Sequence, residues 1–177
     1  MRVLNVGGQS KDIPLPDIYY GWEQVLLDIE EGVGADIVAD ARDLFELEEK
    51  FDAVYCSHVL EHFHQFEVDD VLQGFKHVLN PLGFVQIRVP DLLYVMKEVV
   101  RKHIPLDGKL YNSAAGDITP LDVIYGYQWA IQEGKPYYAH KLGFSKELLH
   151  KYLKSNGFMR IDITTDKREL NAIARLV

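Results

Sequence analysis

Between Phe51 and Val89 the chain reads strand, helix, strand, with so little sequence between the three that few folds can hold it. The run from Ala53 to Cys56 is apolar and stops abruptly on Ser57 and His58, the pattern of a strand buried on both faces whose carboxyl end opens into a site. Val68, Val71, Leu72, Phe75, Val78 and Leu79 then recur at helical spacing, with Asp69 and Asp70 at the end where the helix dipole favours negative charge. Asn80-Pro81-Leu82-Gly83 stops that helix, and Phe84 to Val89 follows as a strand ending on Pro90-Asp91. Units linked this way form a right-handed crossover and a parallel pair. Ligands of open parallel sheets sit outside the carboxyl ends of the strands, so Cys56, Ser57 and His58 are the first site candidates.

The flanking sequence extends the pattern. Val3 to Val6 is a short strand followed by Gly7-Gly8-Gln9-Ser10, where two glycines allow a tight turn and close approach to a ligand. Pro14 and Pro16 would interrupt a helix, so the connection to the second strand is expected to be a loop. Gln24 to Leu27 ends on Asp28, and Asp36 to Ala39 ends on Asp40. A strand-terminal carboxylate can accept hydrogen bonds from ligand hydroxyls or amines, or it can simply cap the next turn. Two in succession after a glycine turn favour binding. The expected fold is α/β, a Rossmann-like doubly wound and mostly parallel sheet in a single domain of 177 residues.

After a further helix at Leu92 to Arg101 the regularity falls away. Residues 103–143 hold Tyr111, Tyr125, Tyr127, Trp129, Tyr137 and Tyr138, with one helix expected after Thr119-Pro120. Long irregular connections in compact domains usually serve as lids or binding loops, and this one is read as a lid or acceptor-binding insertion. Ser145 then caps a last helix that Asn156-Gly157 ends. Strands around Met159–Thr164 and Leu170–Leu176, with a charged turn at Asp166-Lys167-Arg168-Glu169, form a C-terminal antiparallel hairpin.

A formal charge of −8 gives no net attraction to polyanions and so disfavours nucleic acid or an anionic membrane as partner. The single cysteine, Cys56, cannot form an internal disulfide, and neither a leader pattern nor a long apolar span appears. A cytoplasmic protein is the expectation.

The order of these motifs resembles the class I S-adenosylmethionine-dependent methyltransferases over nearly the whole chain. The resemblance rests on Leu4-Asn5-Val6-Gly7-Gly8, on Asp28 and Asp40, on Phe51-Asp52-Ala53-Val54 leading to Ser57-His58-Val59-Leu60-Glu61-His62, and on Val78-Leu79-Asn80-Pro81-Leu82-Gly83. More narrowly the chain is similar to predicted methyltransferases with a shortened first crossover, in which Ile124-Tyr125-Gly126 and His140-Lys141-Leu142-Gly143-Phe144 also find counterparts. The resemblance implies S-adenosyl-L-methionine as cofactor, with Gly7 and Gly8 near its methionine part, Asp28 at the ribose hydroxyls and Asp40 at the adenine amino group. Ser57 and His58 would lie beside the methionine and the transferred methyl, and Asn5, Ala41 and Cys56 are further cofactor-binding candidates. Gln9 stands where a further glycine is usual and the first helix is missing, so Lys11 is a candidate to meet the cofactor carboxylate.

Transfer to an oxygen or nitrogen of a small-molecule or saccharide-like acceptor is the function implied. A cofactor-binding module without transferase activity is the alternative. No Asn/Asp-Pro-Pro-Tyr element follows the Ala53–Cys56 strand, which counts against methylation of exocyclic base amines. His140 and His58 are the candidate bases, because a histidine titrates near working pH. His58-Val59-Leu60-Glu61-His62 also fits an H-x-x-E-H zinc signature. Directly after a buried strand, and with no further ligand in view, it is not expected to hold a metal. Tyr137-x-x-x-Lys141 matches a short-chain dehydrogenase core, yet the G-x-G spacing that nicotinamide binding needs is absent.

Overall fold

The computed structural model describes residues 1–113 and 116–176. In chain order its elements are β1 (Arg2–Val6), β2 (Glu23–Asp28), β3 (Ile37–Val38), β4 (Phe51–Ser57), α1 (Val68–Val78), β5 (Leu79–Pro90) and α2 (Leu92–Lys102). Then come β6 (Tyr111–Ser113), β7 (Gly116–Ile118), α3 (Pro120–Tyr125), α4 (Gln128–Gln132), α5 (Lys146–Ser155), β8 (Met159–Asp166) and β9 (Glu169–Arg175). Seven strands form one sheet in the order β3-β2-β1-β4-β5-β9-β8. The pairs from β3 to β5 are parallel, and β9 joins β5 antiparallel with β8 outside it. Strand order reverses between β1 and β4, the point at which such sheets open a crevice for ligands.

Alternation along the strands explains the layering. Leu4, Val6, Val54, Cys56, Val85 and Ile87 point to one face and pack with Val71, Leu72 and Phe75 of α1 and Leu149 and Leu153 of α5 in the main core. Val3, Ala53, Tyr55 and Phe84 point to the other face, where Tyr19 packs among them with Leu15 and Trp22 alongside. The first crossover is a loop with a single 3-10 turn, Asp17–Tyr19, as Pro14 and Pro16 predict. Aromatic side chains therefore cover this face where a helix would lie in a fully wound sheet.

Three details differ from the sequence reading. Residues 79–83 belong to β5 rather than to a turn before it: Leu79 pairs with Phe51, and Asn80 Nδ2 donates to Asp52 Oδ1 at 3.0 Å. The residues around Leu110, Tyr111 and Ile118 do not reach the sheet but pack with Val95 and Val99 of α2 and Val123 of α3, in a core of their own. The β6–β7 hairpin and α4 carry no strong periodicity and were not expected. Among the described residues no helix is long and apolar enough to cross a membrane.

Candidate active site

A cavity of about 610 Å³ opens at the carboxyl ends of β1, β2 and β4, within the size range of small-molecule sites. The sequence candidates that line it are Gly7, Asp28, Asp40, Ala41, Ser57 and His58. Gly7 has φ +79, and a Cβ there would stand 2.3 Å from Val59 Cγ2, so both backbone and space demand glycine. The amides of Gly7 and Gly8 both donate to Leu27 O, at 2.7 and 3.3 Å, and pin the turn to the end of β2. Asp28 is only 6% exposed and caps its own turn, Oδ1 accepting from Glu30 N at 2.8 Å.

Asp40 is the N-cap of a 3-10 helix, Ala41–Glu46, and also receives Arg42 at Nε and Nη2. Burial would raise its pKa, but the guanidinium and amide of Arg42 outweigh this and hold Asp40 below the usual range. Glu67 takes the remaining Arg42 contact at 2.5 Å and steadies the guanidinium, while Asp40 and Arg42 themselves line the cavity.

Four of the cofactor-binding candidates fall outside the cavity wall. Asn5 is 8% exposed, and its side chain lies where a Cβ on Gly8 would be, so the two lock each other. Gly8 is buried within that contact. Lys11 pairs with Asp36 at 2.9 Å, and the lysine in the wall is Lys141 instead. Cys56 faces the main core with no exposure, and burial pushes its thiol pKa well up, which leaves it apolar and unreactive.

His58 sits at φ +55 where the chain leaves β4, a conformation that histidine adopts more readily than most side chains. Its Nε2 lies 2.6 Å from Glu169 of β9 and its Nδ1 3.3 Å from Glu61. Burial disfavours its charge, but these two carboxylates prevail and push its pKa up to about 10. An imidazolium at neutral pH has no lone pair to take a proton from an acceptor. His140 is likewise not in the wall: its Nδ1 lies 2.8 Å from Val123 O, and its ring stands edge-on to His62, with 4.8 Å between centroids. His62 lines the cavity in its place.

Residues 136–141 form the side of the cavity opposite the strand ends, through Pro136, Tyr137, Tyr138 and Lys141. Lys141 N and Leu142 N both donate to Glu61 O, at 2.8 and 3.1 Å, which stitches this segment to the turn after β4. Gly126 allows the approach on the other side: at φ +92, a Cβ there would meet Tyr138 O at 2.0 Å. Tyr138 Oη is 3.4 Å from Gln9 Nε2, so the glutamine in place of a third glycine reaches across the cavity. Arg42 carries no sequence signal, while His62 and Lys141 stand in patterns that point to other chemistry, an H-x-x-E-H zinc signature and a dehydrogenase Tyr-x-x-x-Lys, rather than to this cavity. The aromatic density around Tyr137 and Tyr138 was the only signal.

A family model described as "Methyltransferase domain" matches residues 23–87, the span from β2 into β5. A search of curated proteins finds no match. Among solved structures, an S-adenosylmethionine-dependent methyltransferase from Clostridium acetobutylicum superposes with a TM-score of 0.64 at 9% identity, covering 99% of this chain and 83% of that one. A SAM-dependent methyltransferase from Archaeoglobus fulgidus gives 0.59 at 16% identity, covering 98% and 85%. The 1,6-didemethyltoxoflavin-N1-methyltransferase of Burkholderia thailandensis, solved with S-adenosylhomocysteine, gives 0.56 at 18%, covering 99% and 71%. Other matched chains are longer, and this chain spans 50% of their length. The family model matches through the strands that build the cavity, and the chain shares its fold with these S-adenosylmethionine-dependent methyltransferases.

Proposed function

We propose that the chain moves the methyl of S-adenosyl-L-methionine to an oxygen or nitrogen of a small-molecule or saccharide-like acceptor. The observation that carries this reading is the cavity at the β1/β4 reversal, where Asp28, the Gly7 turn and Ser57 converge under the 136–141 segment. The wall suits a nucleoside: Val6, Leu27, Ile29, Ala39 and Phe63 are apolar, and the carboxylate of Asp28 is placed for vicinal hydroxyls.

The cofactor supplies an activated methyl on sulfur. The protein's own work is then positioning, which can contribute a large part of the rate when the reacting atoms are held in line. Asp28 would hold the ribose, Asp40 and Ala41 would border the adenine end, and Ser57 would line the floor beside the methyl. Residues 136–141 close over the pair and exclude water. His58, charged and fixed between two carboxylates, acts as a pillar of the floor rather than as a base.

The test is incubation with cofactor and a panel of hydroxyl- and amine-bearing small molecules and saccharides. S-adenosylhomocysteine and a product heavier by one methylene are expected from part of the panel. Cofactor binding without product from any member would defeat the acceptor assignment.

A further inference from the structure

We infer that Glu61, His62 and His140 form a binding site for a divalent transition-metal ion at the edge of the cavity. A carboxylate oxygen of Glu61 and one ring nitrogen from each histidine all lie within 4.8 Å of one another. Two elements distant in sequence meet to make the group: the 3-10 turn Leu60–His62 after β4, and the returning segment that Lys141 N and Leu142 N tie to Glu61 O. The H-x-x-E-H spacing is not the ligand set. His58 points to Glu169, and the third donor, His140, comes from 78 residues further on than His62, beyond what local spacing can show.

The second observation is Glu61 itself. It is 1% exposed, and neither carboxylate oxygen accepts a hydrogen bond. The His58 Nδ1 contact at 3.3 Å lies at ion-pair distance but outside hydrogen-bond geometry. His58 offsets part of the charge, but a buried carboxylate with no hydrogen bond to either oxygen is costly and keeps the capacity to ligate a cation.

His140 is oriented as a ligand is, and His62 needs only to turn its ring. His140 Nδ1 donates to Val123 O at 2.8 Å, which leaves Nε2 as the nitrogen with the lone pair. His62 has Nδ1 3.1 Å from Ala139 O and Nε2 3.1 Å from His58 O. A neutral imidazole carries one N–H and satisfies only one of these carbonyls, so the nitrogen facing the other has its lone pair against an acceptor and gains by turning onto a metal. Ligating histidines commonly donate their second nitrogen to a backbone carbonyl in this manner.

Two imidazoles and one carboxylate suit zinc, cobalt(II), manganese(II) or iron(II), and leave coordination positions open. His62 lines the cavity, so an ion held there would stand at its border. On the proposed methyl-transfer reading, an acceptor hydroxyl bound there would lose its proton more readily, which offsets the lack of a free base among the histidines. The metal site itself does not depend on that reading.

The test uses the full chain without a histidine tag, treated with chelator, with neither cofactor nor acceptor present. Titration with Co²⁺, followed by visible absorption, and with Zn²⁺, followed by calorimetry, is expected to show saturable binding of roughly one ion per chain. Glu61→Gln and His140→Ala are each expected to abolish it, while His150→Ala, at an exposed position on α5, leaves it unchanged. Circular dichroism establishes whether Glu61→Gln is folded; if it is not, the His140→Ala result decides. No saturation by either ion below millimolar concentration, or unchanged binding in folded His140→Ala protein, would overturn the assignment.

Discussion

Lys135 and Glu30 meet at 2.6 Å across 105 residues of sequence, joining the segment that bears Tyr137 and Tyr138 to the turn after β2. Glu30 is held below the usual carboxylate range, chiefly by this lysine. With Gln9 to Tyr138 and Glu30 to Tyr137, it is among the side-chain contacts that tie residues 135–138 to the strand ends. Ion pairs open to solvent contribute little to global stability, so the pair should matter more to the segment than to the fold. Lys135→Ala is expected to leave the thermal midpoint nearly unchanged and to speed release of S-adenosylhomocysteine, because loosening a cover acts mostly on dissociation. Stopped-flow dissociation measures it, and an unaltered off-rate would show that the segment closes without this tie.

Asp28 is the carboxylate on which cofactor affinity is expected to depend most. It ends β2 nearly buried, with one oxygen already accepting from Glu30 N. Removing a charged acceptor from hydroxyl donors costs about 1.5–3 kcal/mol, so Asp28→Ala should weaken S-adenosylmethionine and S-adenosylhomocysteine alike. Calorimetric titration of the folded variant checks this. Unchanged affinity would take Asp28 out of the site.

The strands and their order were legible because each is a short apolar run ending on Gly, Asp or Ser, and that pattern is local. Asp28, Asp40 and Ser57 followed, since a residue that ends a parallel strand is placed by the fold itself. Lys11 was misjudged for the opposite reason. Its neighbour in space, Asp36, belongs to a different turn, and charge pairing across loops leaves no periodic trace. The sequence shows His140 but not its surroundings: the backbone bonds to Glu61 O and Tyr125 O, with the His62 ring against Ala139 O, bring it against His62. The division of residues 103–143 into a part packed on α2 and a part facing the cavity depends on the same kind of distant contact.

Glu98 of α2 should govern acid stability. It is 4% exposed and binds Arg168, in the β8–β9 turn, through both oxygens at 2.6 and 2.8 Å, with Lys102 adding a third contact. Arg168 is the main cause of its lowered pKa. An unfolded glutamate titrates near about 4.3; with the folded value lower, the stabilisation is complete above that pH and is lost as pH falls through the folded value. Glu98→Gln should cost about 1–2 kcal/mol at neutral pH, a bidentate charged bond discounted for the solvent around its partners. The gap in thermal midpoint between wild type and variant should then narrow below about pH 4. A gap that stays constant from neutral pH into that range would show that this carboxylate is not the titrating group.

Gly7 gives the sharpest test of how the cavity floor is built, because two separate penalties meet there. Its φ of +79 lies where a side chain costs about 1–2 kcal/mol. A Cβ would also stand 2.3 Å from Val59 Cγ2, a contact that cannot persist unless one side moves. Gly7→Ala should therefore destabilise by more than the conformational cost alone. Val59→Ala removes the clashing methyl, so the double variant should lose less stability than the two single losses added together. Residues in contact show such coupling, whereas independent sites add to within roughly 0.5 kcal/mol. Urea unfolding of the four proteins measures the difference. Strict additivity would mean that the clash relaxes without cost, and that only the left-handed backbone requires glycine at the end of β1.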